Sequence, residues 1–416
     1  MKRIAILTLG TRGDVQPYVA LALGLKQRGF QPRIVAPINF ESFVRGYGLE
    51  YWPLEMNTEE GLKSAEGRSW LASGNTRAFL RHLRKLMQRD RAAFQRGIWQ
   101  ACQETDAVVG TAMTLAEGIS ASEKLQLPFI ASLIYPVLPA SRHYPHFLVK
   151  SRSSRFQSVD YLTHVILDKA WWRETRRPLN HWRHSIGLAP LKRSPTQQIR
   201  KTSTLTLHHY SETLFPRPAD WAPNHILTGP LFLPDAQEPL PAPLLEFLRA
   251  GPSPVFLGFG SMPIVDPAAA LAMTARATAR LGIRAVIGFG WSDFPASSNG
   301  HLFLTRGVDH NRLFPSCRAL VHHGGAGTTF AGLRAGKPAV VFSVFADQPF
   351  WGERLTRAGA GIHFPFRSFS EETLLAGLQQ VLRVESQVRA SDLSKRMAAE
   401  SGLETSVAQI EDSLSR

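Results

Sequence analysis

Residues 319–329 read Ala319-Leu320-Val321-His322-His323-Gly324-Gly325-Ala326-Gly327-Thr328-Thr329. An apolar run of strand length passes through two histidines into glycines and ends on two hydroxyls where a helix begins. That order is a strand-to-helix turn of a parallel α/β sheet. Glycines let backbone N–H groups approach a ligand, the threonines can cap the helix and donate to oxygen, and a helix N-terminus carries partial positive charge, so the turn suits a phosphate group. The alternative is a tight turn with no ligand. Neighbouring residues of a strand face opposite sides, so one histidine is expected to pack internally and the other to enter a cleft.

The same grammar extends in both directions. Val255–Phe259, Arg284–Ile287 and Ala339–Val344 read as strands, and Pro267–Leu281, Gly327–Ala335 and Gln348–Ala358 as helices. Near the start, Ile4–Leu9 is an apolar strand, Pro17–Arg28 carries apolar residues at helical spacing, and Arg33–Ala36 is a second strand; Ala107–Val109 and Phe129–Ile134 follow, with a long basic helix at Thr76–Ala101 between. Prolines crowd Pro216–Pro254. The chain therefore divides into an N-terminal Rossmann-like domain (1–225), a proline-rich linker (226–254), a second Rossmann-like domain (255–390) and a helical tail (391–416). Ligands of such open sheets bind beyond the C-terminal ends of the strands, so the loops after strands carry the chemistry.

Three more such loops stand out. Gly258-Phe259-Gly260-Ser261 offers a hydroxyl and close backbone approach. Ala346-Asp347-Gln348-Pro349 presents a carboxylate and an amide to a polyhydroxylated ligand, unless Asp347 only caps the next helix. Gly10-Thr11-Arg12-Gly13-Asp14-Val15-Gln16-Pro17 holds Asp14, either an N-cap or a carboxylate able to take a proton from an attacking hydroxyl. A nicotinamide-type site is excluded here, because the loop lacks the three-glycine fingerprint and Ala36-Pro37-Ile38 supplies no acid for a ribose.

Composition narrows the class further. With 416 residues, 44% hydrophobic and 19% charged, the chain can build full globular cores. Two cysteines, Cys102 and Cys317, make neither a disulfide framework nor a thiolate metal site and fit a reducing compartment. Met1-Lys2-Arg3 and Ile4–Leu9 imitate a signal peptide, but the apolar run is short and ends in Gly10-Thr11-Arg12-Gly13, so a buried strand is expected. No run reaches the roughly 18 apolar residues of a membrane span. The expected location is cytoplasmic, peripheral to the inner face of a membrane at most. The formal charge of +15 is lopsided: residues 1–200 carry 29 basic and 15 acidic side chains, and 201–416 carry 19 and 18. Residues 142–200 alone hold 12 Lys and Arg against three acids, interleaved with Trp171, Trp172 and Trp182. Cations mixed with tryptophans suit an anionic membrane surface; nucleic acid and plain solvated charge are the competing readings. His143-x-x-His146 and His181-x-x-His184 have metal-like spacing but no carboxylates or thiols nearby.

Taken together, GTRGDVQPY at Gly10–Tyr18, VFLGFGSM at Val255–Met262, LFPSCRALVHHGGAGTT and ADQPF resemble the inverting nucleotide-sugar glycosyltransferases of family 1, with the two-domain GT-B architecture. The nearest likeness is to sterol 3-beta-glucosyltransferases and to the glycosyltransferases of glycopeptide and macrolide natural products. The resemblance implies two Rossmann-like, doubly wound domains facing across a cleft, with the C-terminal helix returning to the first. It implies Asp14 as general base, Thr11 and Arg12 beside the donor sugar and diphosphate, and Ser261, His323, Gly325, Ala326, Gly327 and Thr328 around the diphosphate. Asp347 and Gln348 would bind sugar hydroxyls, and Val308 with His310 would line the base pocket. No cofactor or metal is implied beyond the nucleotide sugar, UDP-glucose first, and the chain has no Asp-x-Asp triplet. The expected partners are that donor, a lipophilic acceptor and an anionic membrane surface, with no nucleic acid. Ala331 stands where many plant members have an acid for the ribose, and Gly307–Leu313 has no tryptophan, so UDP and dTDP sugars both stay open, as does a polyketide, glycopeptide or flavonoid acceptor. A non-catalytic nucleotide-sugar-binding protein and a two-domain epimerase are the more distant alternatives.

Overall fold

The computed structural model describes residues 1–64, 67, 88–149, 156–234, 239–260, 266–290, 300–306 and 308–415. Its first sheet contains β1 (Arg3–Leu7), β2 (Gln31–Pro37), β3 (Glu50–Leu54), β4 (Ala107–Gly110), β5 (Phe129–Leu133), β6 (Thr206–His208) and β7 (His225–Leu227) in the order β3-β2-β1-β4-β5-β6-β7. The second contains β8 (Val255–Gly258), β9 (Ala285–Gly288), β10 (Leu302–Thr305), β11 (Ala319–His322), β12 (Ala339–Ser343) and β13 (Gly361–Pro365) in the order β10-β9-β8-β11-β12-β13. Every pairing among these strands is parallel. Central strands such as β1, β4 and β11 are apolar without alternation because helices cover both faces. In both sheets the order reverses beside the first strand, between β1 and β4 and between β8 and β11, and the loops leaving these strands hold most of the candidate residues.

The helix Gly402–Ser415 crosses back to the first domain. Val407, Ile410 and Leu414 join the core formed by β1, β2 and the helix Arg12–Gln27, and the bare backbone at Gly24 lets Val407 and Leu403 approach. Glu400 and Ser406 fasten the connection, Glu400 accepting from the Ser211 hydroxyl at 2.7 Å. The helix Val384–Met397 instead packs into the second domain through Ala390, Leu393 and Met397, so a division at 391 falls inside a helix. The proline-rich stretch also has structure of its own. β7 belongs to the first sheet, and Pro241 leads into the helix Ala242–Arg249, whose Leu244 is fully buried. A proline is tolerated there because the first helical turn has no N–H bond to lose. Tyr210 and Phe215 meet Phe350 and Trp351 across the domain boundary, with ring centroids 5.6 Å apart for Tyr210–Trp351 and Phe215–Phe350. Among the described residues no helix is long and apolar enough to cross a membrane. Of the basic helix read at Thr76–Ala101, only its end is described, within Arg91–Cys102; residues 76–87 lie outside the described residues.

Candidate active site

Asp14 sits in the first turn of a helix rather than in a loop. The helix runs Arg12–Gln27, with Thr11 as N-cap, because a capping box closes it: Asp14 Oδ2 accepts from Thr11 N at 2.7 Å and from Thr11 Oγ1 at 3.2 Å. Pro17 falls inside this helix, where its missing N–H costs one bond. Gly10, at φ +140°, leaves the space that the carboxylate fills; a Cβ there would overlap Asp14. Burial pushes the Asp14 carboxyl up to about 6, against the lowering effect of the two Thr11 bonds.

Facing it from the second domain is Asp347, at the start of the helix Gln348–Arg357. The preceding Ala346 is held at φ +54°, a left-handed conformation unusual for alanine and a local strain that turns the loop. Asp347 does not cap its own helix. Its Oδ2 accepts the indole N–H of Trp351 at 2.9 Å, and the carboxylate also takes the backbone N–H of Ala326. Burial and then the charge of Asp14 raise it to about 7, so Asp347 senses Asp14 across the cleft. Tyr135, in the loop after β5, lies beside both: burial, then Asp14, then Asp347 drive its phenol well above the ordinary tyrosine value. Gln348 is buried and spends its Oε1 on the backbone N–H groups of Val344, at 2.9 Å, and Phe345, at 3.3 Å, which fixes the loop.

The glycine-rich turn completes the second wall. His322 is fully buried and accepts from Gly324 N at 3.0 Å, whereas His323 stays partly open, resting against Gly260 and Gly325. A Cβ on Gly325 would stand 2.5 Å from His323 Nε2. Burial, then His310, lower His323 to about 4, so it is neutral near pH 7. His322 Nε2, His323 Nδ1 and Thr329 Oγ1 are all buried and find no hydrogen-bond partner among the described residues. Of the three, only His323 belongs to a partly open side chain, so it is the one placed to meet a polar ligand, while His322 and Thr329 are buried inside the domain. Gly325 is the N-cap of the helix Ala326–Arg334, and the first turn, with Gly327 exposed and Thr328 half-buried, contains no acid of its own.

Arg12 reaches toward His310 of the second domain. It stacks 4.5 Å over Phe43, and its charge is felt by His310, which burial and then Arg12 lower to about 4. His310 stacks on Phe314 at 4.4 Å, and Val308 packs against the same core. Asp14, Arg12, His310, His323, Ala326 and Asp347 are thus linked by contacts or charge; Thr11 acts through Asp14. Ser261 lies outside the described residues. Among the described residues no group of three or more His, Cys, Asp or Glu is arranged to hold a metal ion, and His146 instead accepts from Leu148 N and packs on His164. Sequence reasoning missed Tyr135 and Trp351. Trp351 had a signal in its i+4 spacing from Asp347.

Residues 4–143 match the family model for the glycosyltransferase family 28 N-terminal domain, and 304–414 match that for the erythromycin biosynthesis protein CIII-like C-terminal domain. The calicheamicin glycosyltransferase CalG4 has a similar fold, with a TM-score of 0.68 at 16% identity over 100% of this chain and 99% of that one. The kitacinnamycin glycosyltransferase gives 0.69 at 17%, covering 99% and 98%. In sequence, the sterol 3-beta-glucosyltransferase of Komagataella phaffii is 30% identical over 97% of this chain, but the chain spans only 34% of that protein, about a third of its length. The sterol 3-beta-glucosyltransferase UGT80B1 of Arabidopsis thaliana is 31% identical over 97% of this chain and 67% of its own length. With both sheets, the turns between them and this coverage in agreement, the chain belongs to the sterol 3-beta-glucosyltransferase family.

Proposed function

We propose that the protein is an inverting glycosyltransferase that moves a hexose, glucose from UDP-glucose first, to a hydroxyl of a sterol, terpenoid or other lipophilic acceptor. The observation that carries this reading is the pairing across one cleft of a carboxylate raised to about 6 with a glycine-rich helix start beside a partly open histidine, His323, whose Nδ1 finds no partner among the described residues. Asp14 takes the proton of the acceptor hydroxyl as its oxygen bonds to the anomeric carbon. The bond from that carbon to the phosphate oxygen breaks on the opposite face, and its electron pair leaves with the nucleoside diphosphate. Backbone N–H groups at Gly325–Thr328, the helix dipole and neutral His323 meet the charge that develops there, a role for which no metal is required. Asp347 and Gln348 orient the sugar, Thr11 and Arg12 border it, and Val308 with His310 border the base. The protein works in the cytoplasm, at the surface of the membrane that holds its acceptor.

Transfer from a dTDP sugar to a polyketide, glycopeptide or flavonoid is the second reading. It is favoured by the apolar, buried Ala331 and by the fold shared with VinC, solved in complex with DTDP. Incubation with UDP-glucose and dTDP sugars against sterols, flavonoids and macrolides, read by mass spectrometry, decides between the two. A glucosylated sterol formed only with UDP-glucose is the expected result, and nucleotide binding without any product would leave a non-catalytic binding protein.

A further inference from the structure

We propose that the outer face of the long helix Gln157–Ser185 is a docking surface for an anionic phospholipid bilayer. This deepens the reading above, on which it rests only for its purpose: it names where the chain meets the membrane that supplies a lipophilic acceptor. Val159, Leu162 and Ile166 are 47%, 51% and 56% exposed, and their spacing of three and four residues puts them on one side of the helix. The same side continues in steps of three and four through Lys169, Arg173 and Arg177, all exposed and held by no ion pair among the described residues. One face is therefore apolar over its first turns and cationic over the next.

The opposite side is firmly seated. Leu179, Trp182 and Arg183 are buried; Arg183 bonds Ser120 at 3.1 Å and Glu123 at 3.0 Å; Asp168 accepts from Ser194 at 2.8 Å and Gln197 at 3.1 Å. The outer face is thus a fixed feature of the first domain. Its apolar end is also the end nearer the cleft: His164 packs on His146 at 5.3 Å, the adjacent Phe147 lies 5.2 Å from Tyr135, and Tyr135 stands beside Asp14 and Asp347.

The charge selects the occupant. Aliphatic side chains enter the boundary between headgroups and acyl chains, while cations one turn further on meet lipid phosphates and serine carboxylates. Nucleic acid would use the cations and leave the aliphatic ridge without a role. A second copy would bring the same three cations, with Glu174 the one described acid at their edge, so cations would outnumber acids and like charges would meet.

The test is co-sedimentation of the full chain with phosphatidylcholine vesicles, with and without phosphatidylserine, at low and high salt. Binding is expected to require phosphatidylserine and to weaken with salt. Leu162→Asp with Ile166→Asp is expected to lower partitioning at least about tenfold. Arg173→Gln with Arg177→Gln is expected to lower it about fivefold per cation, and Lys395→Gln, on the other domain, to leave it unchanged. Circular dichroism and thermal melts of each variant check that the fold is intact, as expected for exposed positions. The proposal is overturned if wild type ignores the anionic vesicles, if the doubly aspartate variant binds as well as wild type, or if that variant instead splits a dimer in sedimentation equilibrium. No readout depends on glycosyl transfer, so the outcome stands apart from that of the acceptor screen.

Discussion

The turn after β1 and the turn after β11 both leave a parallel strand through glycine and open a helix toward the same cleft, yet their electrostatics are opposite. The first supplies its own carboxylate: Asp14 folds back onto Thr11 and occupies the positive end of its helix. The second has no acid in its first turn and leaves three polar atoms without partners among the described residues; Asp347, from the next loop, lies near enough to Ala326 N–H for that group to lower its carboxyl. One backbone design thus presents a carboxylate on one wall and an acid-free helix start on the other, and the side chain at the start of the helix decides which. Net charge follows a different logic, since the wall suited to an anion belongs to the half with 19 basic and 18 acidic side chains.

The largest effect comes from disarming the first turn. Asn at position 14 can still accept from Thr11 but cannot take a proton. Asp14→Asn is therefore expected to lower kcat by about 10²–10⁴-fold while changing nucleotide affinity, measured by calorimetry, less than about threefold. Full residual activity would remove the general-base role. The same group sets a pH signature. Its carboxyl is raised to about 6 and must be ionised to act, so kcat/KM should fall about tenfold per pH unit below that value and level off above it.

Giving the second turn the acid of the first is the converse test. Gly327 is exposed, and a Cβ there meets nothing within 4 Å, so Gly327→Asp fits without steric cost. A carboxylate in the first turn favours the helix by about 0.3–1 kcal/mol, so stability should hold or rise slightly. Donor binding should nevertheless weaken by about two orders of magnitude, because the acid competes for the N–H groups and repels the diphosphate. Gly327→Ala isolates the charge and should cost little. Equal losses in both variants would mean that shape, and not charge, distinguishes the two turns.

How much of this was readable beforehand depended on whether the information is local. Strands such as Ala319–His322, and the glycines that end them, are visible because a doubly covered parallel strand is apolar throughout and its turn needs residues without side chains. Asp14, His323 and Asp347 were visible because each touches such a turn. The extent of the first helix was misjudged by the weight given to Pro17, which hid the capping box between Thr11 and Asp14. Tyr135 had no signal, since it gains its place only when β5 is set beside β4 and the second domain faces it. The ridge of Val159, Leu162 and Ile166 is not legible in sequence, because spacing shows which residues share a face but not whether another element covers it.

The smallest effect tests the borrowed carboxylate. Asp347 has its carboxyl raised from the ordinary value to about 7, by burial and then by Asp14. A carboxyl raised on folding binds its proton more tightly in the folded chain than in the unfolded one. The stability it contributes is complete below the unfolded value, near 4, and is lost as pH rises through about 7. Asp347→Asn removes that penalty while its amide oxygen can still accept from Trp351. The variant should melt above wild type at pH 8, by roughly 2–4 °C for each kcal/mol recovered, and lose this advantage by pH 4. It should also weaken transfer, because the sugar loses an acceptor, so stability and activity would move in opposite directions at one residue. If the melting difference were the same at both pH values, Asp347 would carry no buried-charge penalty, and its raised carboxyl would play no part in the electrostatics of the second wall.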